Sequence, residues 1–388
     1  MLQALSNPRI IAYNVAMIKL ESISLREIEL SLLRPFETSF GRQQRRRALI
    51  ISVQAEGLRG WGECVAGSDP WYSYETTRTA WQIIADYLIP ALAGLSLEHP
   101  DEAWPSWARV RGHPMAKAGL EQALWDLYAK SQDISLARAL GGDKTEIESG
   151  ISIGIQSDIP ITLKLIEESL SQGYRRIKLK IKPGWDVQLL AAVRTDFPKI
   201  RLTADANAAY TLADAARLKE LDRFDLLMLE QPLGYDDLLD HADLQRRLKT
   251  PICLDESIKS PADACRALEL GSCRIINIKS GRVGGLSQAK AIHDLCRAQD
   301  IPVWCGGMLE TGIGRAHNLA LASLPGFSLP NDISASERYY LPELELVEPP
   351  FELDTNGTIS VPDGPGLGVR VLEERLERVT LKRQEWQL

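Results

Sequence analysis

The sequence is short of the residues that usually announce a cofactor or a partner. Its 388 residues include six cysteines (Cys64, Cys253, Cys265, Cys273, Cys296 and Cys305), and no two form a CxxC pair. That spacing excludes a dithiol redox motif and a zinc ribbon. Most of the cysteines fall within apolar segments and read as reduced core residues of a cytoplasmic protein. The five histidines are scattered, with no pair at zinc-ligand spacing. No apolar run approaches the roughly 18–20 residues of a membrane span, so no membrane partner is expected. Residues 1–17 lack a basic segment followed by an unbroken apolar stretch and read as a loose extension rather than a secretory signal. Positive charge is in deficit. The formal net charge is -7, which argues against a nucleic-acid partner. The one basic run, Arg45-Arg46-Arg47, precedes "ALIISV" and reads as a solvated turn. No GxGxxG follows a strand pattern, which disfavours a dinucleotide-binding open sheet.

What is present is ordinary globular material, 45% hydrophobic and 25% charged, arranged in two grammars. Residues 18–142 run from β to α. "IKLESISLREIELSL" alternates, two strands flank Gly57, and "AKAGLEQALWDLYAKSQ" carries helical spacing before the stop signal Gly141-Gly142. This predicts a separate α+β domain. Residues 143–342 alternate short apolar strands with amphipathic helices. The strand signals are "IESGISIG", "RRIKLKI", "RLTADAN", "LLMLEQP", "PICLDES", "RIINIK", "PVWCGGM" and "FSLPNDI". Eight such signals predict an α/β fold of the TIM-like barrel type, with a doubly wound open sheet as the competitor. In residues 343–388, Asn356-Gly357 between alternating arms predicts a hairpin, and the tail is expected to return and complete the N-terminal domain.

The stretch "RRIKLKI" places Lys178 and Lys180 on one face of a strand whose other face is Ile177, Leu179 and Ile181. The next four strands end in Asp205, Glu230, Asp255 and Lys279, at intervals of 25, 25, 25 and 24 residues from Lys180 onward. One charge at a strand end often only begins a loop. Five in succession, each from an apolar strand, mark a barrel mouth where catalytic groups converge. Three carboxylates there repel, each pair by about 4 kcal/mol at ~4 Å and an effective dielectric of ~20. A cation must offset that, and an all-oxygen set without histidine or thiolate suits Mg²⁺ or Mn²⁺. A lysine acts as a base only when neutral. A neighbouring ammonium such as Lys178 and a nearby dication both favour that form of Lys180.

At these residues the sequence resembles the enolase superfamily and, within it, the muconate lactonizing enzyme subgroup, whose members pair a lysine base with Mg²⁺. The resemblance implies a (β/α)7β barrel with an α+β N-terminal capping domain completed by the C-terminal tail. It matches Lys178-Leu179-Lys180 to a KxK motif with Lys180 as base. It matches Asp205, Glu230 and Asp255 to metal ligands and Lys279 to the opposing lysine. "RPFETSFG" (34–41), "GWGE" (60–63), "GGMLETGIGRAHN" (306–318) and "NDISAS" (331–336) are similar to the branch of o-succinylbenzoate synthases and N-succinylamino acid racemases. That branch implies a small carboxylate substrate: dehydration of 2-succinyl-6-hydroxy-2,4-cyclohexadiene-1-carboxylate in menaquinone biosynthesis, racemisation of an N-succinylamino acid, or both. A muconate-type cycloisomerase, a dipeptide epimerase and a non-catalytic binding barrel are the rivals. Asn331-Asp332-Ile333 stands where the epimerases carry DxD, which counts against that specificity.

Further site residues follow. Thr38 and Ser39 lie on the loop that resembles a mobile cap over the site. Arg282 resembles an arginine associated with racemase-capable members. Gly306 and Gly307, ahead of Met308, permit close backbone approach, here expected toward a substrate carboxylate. Asn207 orients a ligand or serves as a structural cap. Glu310 contacts the site near Lys279 or makes a loop salt bridge. Glu256 points away from Asp255 and takes a supporting or helix-capping role. Trp61 and Trp125 are expected in the core, and barrels of this type are expected to self-associate.

Overall fold

The computed structural model describes residues 17–388, so nearly all of the extension read at the N-terminus lies outside the described residues. Strands Ser22–Thr38, Gly41–Ala55 and Leu58–Cys64 form an antiparallel meander. Strand Thr380–Gln387 pairs antiparallel with the first of them, so the tail supplies the fourth strand of the sheet. Helix Pro114–Ser131 lies against the sheet through glycines. A Cβ at Gly62 would stand 2.7 Å from the Ala123 amide nitrogen, and one at Gly119 would stand 2.7 Å from the Cys64 Cβ. Trp61 and Trp125 are both buried in the core. Among the described residues no helix is long and apolar enough to cross a membrane.

The basic run is part of this sheet and not a turn. Strand alternation sends Arg45 and Arg47 outward to Glu29, while Arg46 points inward and is buried. Three consecutive arginines resemble a solvated segment only when the period of two is ignored.

The second layer is a parallel sheet of seven strands in chain order: Gly150–Ile153, Arg176–Lys180, Arg201–Asp205, Met228–Glu230, Ile252–Leu254, Ile275–Ile278 and Val303–Cys305. Residues 327–332 close it. Phe327 bridges Val303 and Asn331 bridges Ser149, both parallel, and the Gly150 amide donates to the Asn331 carbonyl at 2.7 Å. This eighth segment is not a regular strand. Pro330 interrupts it and has no N–H to give a ladder. Four of the connecting helices start at a capping side chain. Asp158 accepts from the Ile161 amide ahead of Ile159–Ser171, and Ser260 caps Pro261–Leu270, which ends at left-handed Gly271. Ile177, Leu179 and Ile181 are fully buried between sheet and helices. Each contributes about 1.5–3 kcal/mol of burial, and the same alternation turns Lys178 and Lys180 toward the barrel axis.

The expected hairpin is only half made. The turn at Asn356-Gly357 closes with the Gly357 amide on the Asp354 carbonyl at 3.0 Å. Its second arm, Thr358–Ser360, pairs instead with Glu146–Glu148. The segment "IESGISIG" therefore serves two sheets, which local alternation does not reveal.

Candidate active site

The register of the barrel strands builds the site. Lys180 is paired with Asp205, and Asp205 with Glu230, so three charged residues stand side by side on neighbouring strand ends. Asp255 and Lys279 follow at the next ends. All five are buried, as is Lys178. Lys180 Nζ lies 2.6 Å from Asp205 Oδ2. Lys178 Nζ lies 3.4 Å from Asp205, 3.1 Å from Glu230 and 2.8 Å from Asp332. Lys279 Nζ donates to Asp255 Oδ2 at 2.7 Å and to the Tyr72 hydroxyl at 3.0 Å. Lys180 and Lys279 come from the second and sixth of eight segments in the ring, so they face each other across it. Both line a cavity of ≈ 340 Å³ between the strand ends and the N-terminal domain, together with Lys178, Thr38, Asn207, Met308 and Asp332.

Burial alone would push the Lys178 ammonium toward neutrality, but Asp332, Glu230 and Asp205 outweigh it and hold its pKa above the usual lysine value. Trp304 adds a π face 4.7 Å from its nitrogen. Lys178 is thus a fixed positive charge beside Lys180. Lys279 is also held above the usual value, because Tyr72, Glu230 and Glu256 overcome its burial. Among the carboxylates, Asp205 is held low despite burial by Lys180 and Lys178. Glu230 is pushed up by burial and by Asp205. Glu256 is pushed up to about 7, by burial first and Asp205 second.

Among the described residues, no three acidic, histidine or cysteine side chains stand as a ready metal cage. Lys178 and Lys180 reach the oxygens of Asp205 and Glu230, while Lys279 and Arg282 bind Asp255. The donor set still suits a hard divalent cation: buried carboxylates only, on adjacent strand ends. Glu230 Oε2 has no hydrogen-bond partner among the described residues, since Lys178 at 3.1 Å lies off the bonding direction.

The remaining sequence-derived residues divide by position. Thr38 lines the cavity and bonds the Gly41 carbonyl, while Ser39 donates to the Asn207 carbonyl at 3.1 Å and so ties its loop to the barrel. Asn207 donates to Glu256 Oε1 at 2.9 Å, and its own Oδ1 has no partner among the described residues. Arg282 is turned away from the cavity, binding Asp255 and the carbonyls of Ile258 and Asn277. Glu310 makes neither of the contacts expected of it. It accepts from the Met308 amide at 2.7 Å and from Asn318 at 2.9 Å, anchoring the loop. The close approach at Gly307 is to the Asp332 carbonyl, and at Gly306 it is to the Asn277 side chain and Lys279. A Cβ at Gly306 would stand 2.7 Å from Lys279 Cε. Gly306→Ala is therefore expected to displace Lys279 and, if Lys279 takes part in the reaction, to lower kcat by about tenfold or more. Steady-state kinetics with a circular-dichroism check of folding measures this.

Other side chains at the site were not singled out from sequence. Asn277 donates to Glu230 Oε1 at 2.8 Å, and Ser152 lines the cavity with a hydroxyl that has no partner among the described residues. Both lie on the inward face of their strands and were open to the same period-two argument as Lys178. Tyr72 sits in the loop "DPWYSYE", where no periodicity marks it, and reaches Asp255 at 3.0 Å.

This geometry can be set beside known proteins. Residues 162–375 match the family model described as enolase C-terminal domain-like, and residues 22–141 match the mandelate racemase / muconate lactonizing enzyme N-terminal domain. The chain belongs to the enolase superfamily. Its place in the muconate lactonizing enzyme subgroup is supported by an o-succinylbenzoate synthase of Geobacillus kaustophilus, 54% identical over 94% of this chain and 96% of that protein. An N-succinylamino acid racemase of Thermus thermophilus is 48% identical, covering 94% and 98% of the two chains. The solved structure of an enolase-superfamily member from Listeria innocua superposes with a TM-score of 0.92 at 44% identity, covering 95% of this chain and 99% of that one. The protein is therefore an enzyme acting on a small molecule, in a superfamily whose members generally depend on a divalent metal.

Proposed function

We propose that this enzyme is an o-succinylbenzoate synthase, removing water from 2-succinyl-6-hydroxy-2,4-cyclohexadiene-1-carboxylate, with Mg²⁺ as the divalent ion. The observation that carries the reading is the pair Lys180 and Lys279, four segments apart and facing one cavity. In this mechanism Lys180 Nζ takes the proton next to the substrate carboxylate. Lys178, kept charged by Asp332, Glu230 and Asp205, shares the Asp205 Oδ2 oxygen with Lys180 and stands beside it as a fixed ammonium. The departing hydroxyl leaves as water with a proton returned from Lys180 Nζ. Lys279, fixed by Asp255 and Tyr72, presents its ammonium to the opposite face, where negative charge develops. Asp205, Glu230 and Asp255 would hold Mg²⁺, which when bound supplies Lewis-acid stabilisation of that charge.

Racemisation of an N-succinylamino acid is the second reading, favoured by the same facing lysines, which would give and take the α-proton from opposite sides. The wild-type protein with Mg²⁺ should dehydrate the synthase substrate, followed by absorbance, and should invert N-succinyl-phenylalanine, followed by polarimetry. Absence of turnover with any carboxylate substrate would defeat both readings.

A further inference from the structure

Arg46 is a buried charge of the cavity that no carboxylate among the described residues explains. It is only 3% exposed and lines the same cavity as the strand-end lysines. Its sequence neighbours Arg45 and Arg47 pair with Glu29, whereas Arg46 has no ion-pair partner among the described residues. Nη2 donates to the Val65 carbonyl at 2.5 Å and Nη1 to the Ala66 carbonyl at 3.3 Å, which fixes the guanidinium plane. Nε has no partner. Glu63 is near enough to feel the charge, but its oxygens are taken by Thr311 and by the Gly314 amide. A buried guanidinium without a carboxylate is costly unless a ligand supplies one.

Its location is also defined. The Val65 side chain packs on Gly281, two residues beyond Lys279, so the carbonyl that anchors Arg46 lies where the N-terminal domain meets the barrel. The cavity therefore carries fixed positive charge on two walls, Lys178 and Lys279 at the strand ends and Arg46 on the other side.

We infer that Arg46 is a specificity-determining residue that binds the distal carboxylate of a dicarboxylate ligand. The inference rests on the proposed function, in which the first carboxylate lies at the strand ends. The planar donor fork suits a carboxylate, and its anchoring to two carbonyls leaves little entropy to lose on binding.

The test is a binding measurement and needs no turnover, so its outcome is separable from that of the proposed function. Isothermal titration of the Mg²⁺-loaded protein compares o-succinylbenzoate with 2-butyrylbenzoate, which has the same skeleton without the distal carboxylate. The wild type should prefer o-succinylbenzoate by about 10- to 100-fold, the range of one charge-assisted hydrogen bond. Arg46→Met should erase that preference while leaving the 2-butyrylbenzoate Kd unchanged, and Arg46→Lys should restore part of it. The inference is overturned if the wild type shows no preference, if the preference survives in Arg46→Met, or if both ligands weaken together in Arg46→Met and Arg46→Lys alike. The last result would mean that Arg46 only braces Val65 and Ala66.

Discussion

Replacing Lys180 by alanine is expected to lower dehydration of the synthase substrate by about 10²–10⁴-fold, the range contributed by a positioned general base. The fold should survive. Asp205 keeps Lys178 at 3.4 Å after the change, so no buried carboxylate is left without a cation. A sharper result is expected with an N-succinylamino acid in deuterated water. Lys279 remains on the opposite wall, so Lys180→Ala should still exchange the α-proton of one enantiomer and lose exchange of the other. Lys279→Ala should show the reverse preference. NMR of the α-proton reads both. Exchange of both enantiomers at the wild-type rate in either variant would remove these two lysines from the mechanism.

The second large effect concerns the metal. Dialysis against a chelator should abolish turnover, and Mg²⁺ should restore it. Stability should follow the same titration. A ligand at a hundred times its Kd adds about 2.7 kcal/mol to the folded state. Lys178 and Lys180 lie on the carboxylates that would hold the ion, so the ion would compete with the ammonium groups for those oxygens. Asp205→Asn removes one charge from that set and should flatten the Mg²⁺-dependent rise in Tm. A melting curve indifferent to Mg²⁺ in the wild type would mean that these carboxylates serve only as counter-ions for the lysines.

The barrel and its charged strand ends were legible because two regularities overlap. Alternation told which side of "RRIKLKI" faces inward, and the 25-residue β/α repeat told where each later strand would deliver its charge. Where either regularity lapses, the reading lapses with it. Pro330 broke the eighth strand, which closes the ring through a few hydrogen bonds instead of a ladder. Tyr72 comes from a loop without a period and reaches Lys279 only because the N-terminal domain sits over the barrel mouth. Arg46 was hidden by its neighbours, since three arginines in a row look alike until the strand separates them. Glu310 shows the opposite error. A carboxylate close in sequence to the site turned its oxygens to the Met308 amide and to Asn318 on the following helix.

The pairing of strand Thr380–Gln387 with strand Ser22–Thr38 has a consequence for biosynthesis. The N-terminal sheet is laid down early, yet one edge of it stays uncovered while the ribosome translates the entire barrel. Until the partner emerges, the backbone of Ser22–Thr38 is open to strands of other nascent chains. A stalled or prematurely terminated chain could form its barrel and still carry that open edge. Loss of the final strand should therefore be felt in yield and aggregation during expression before it is felt in catalysis.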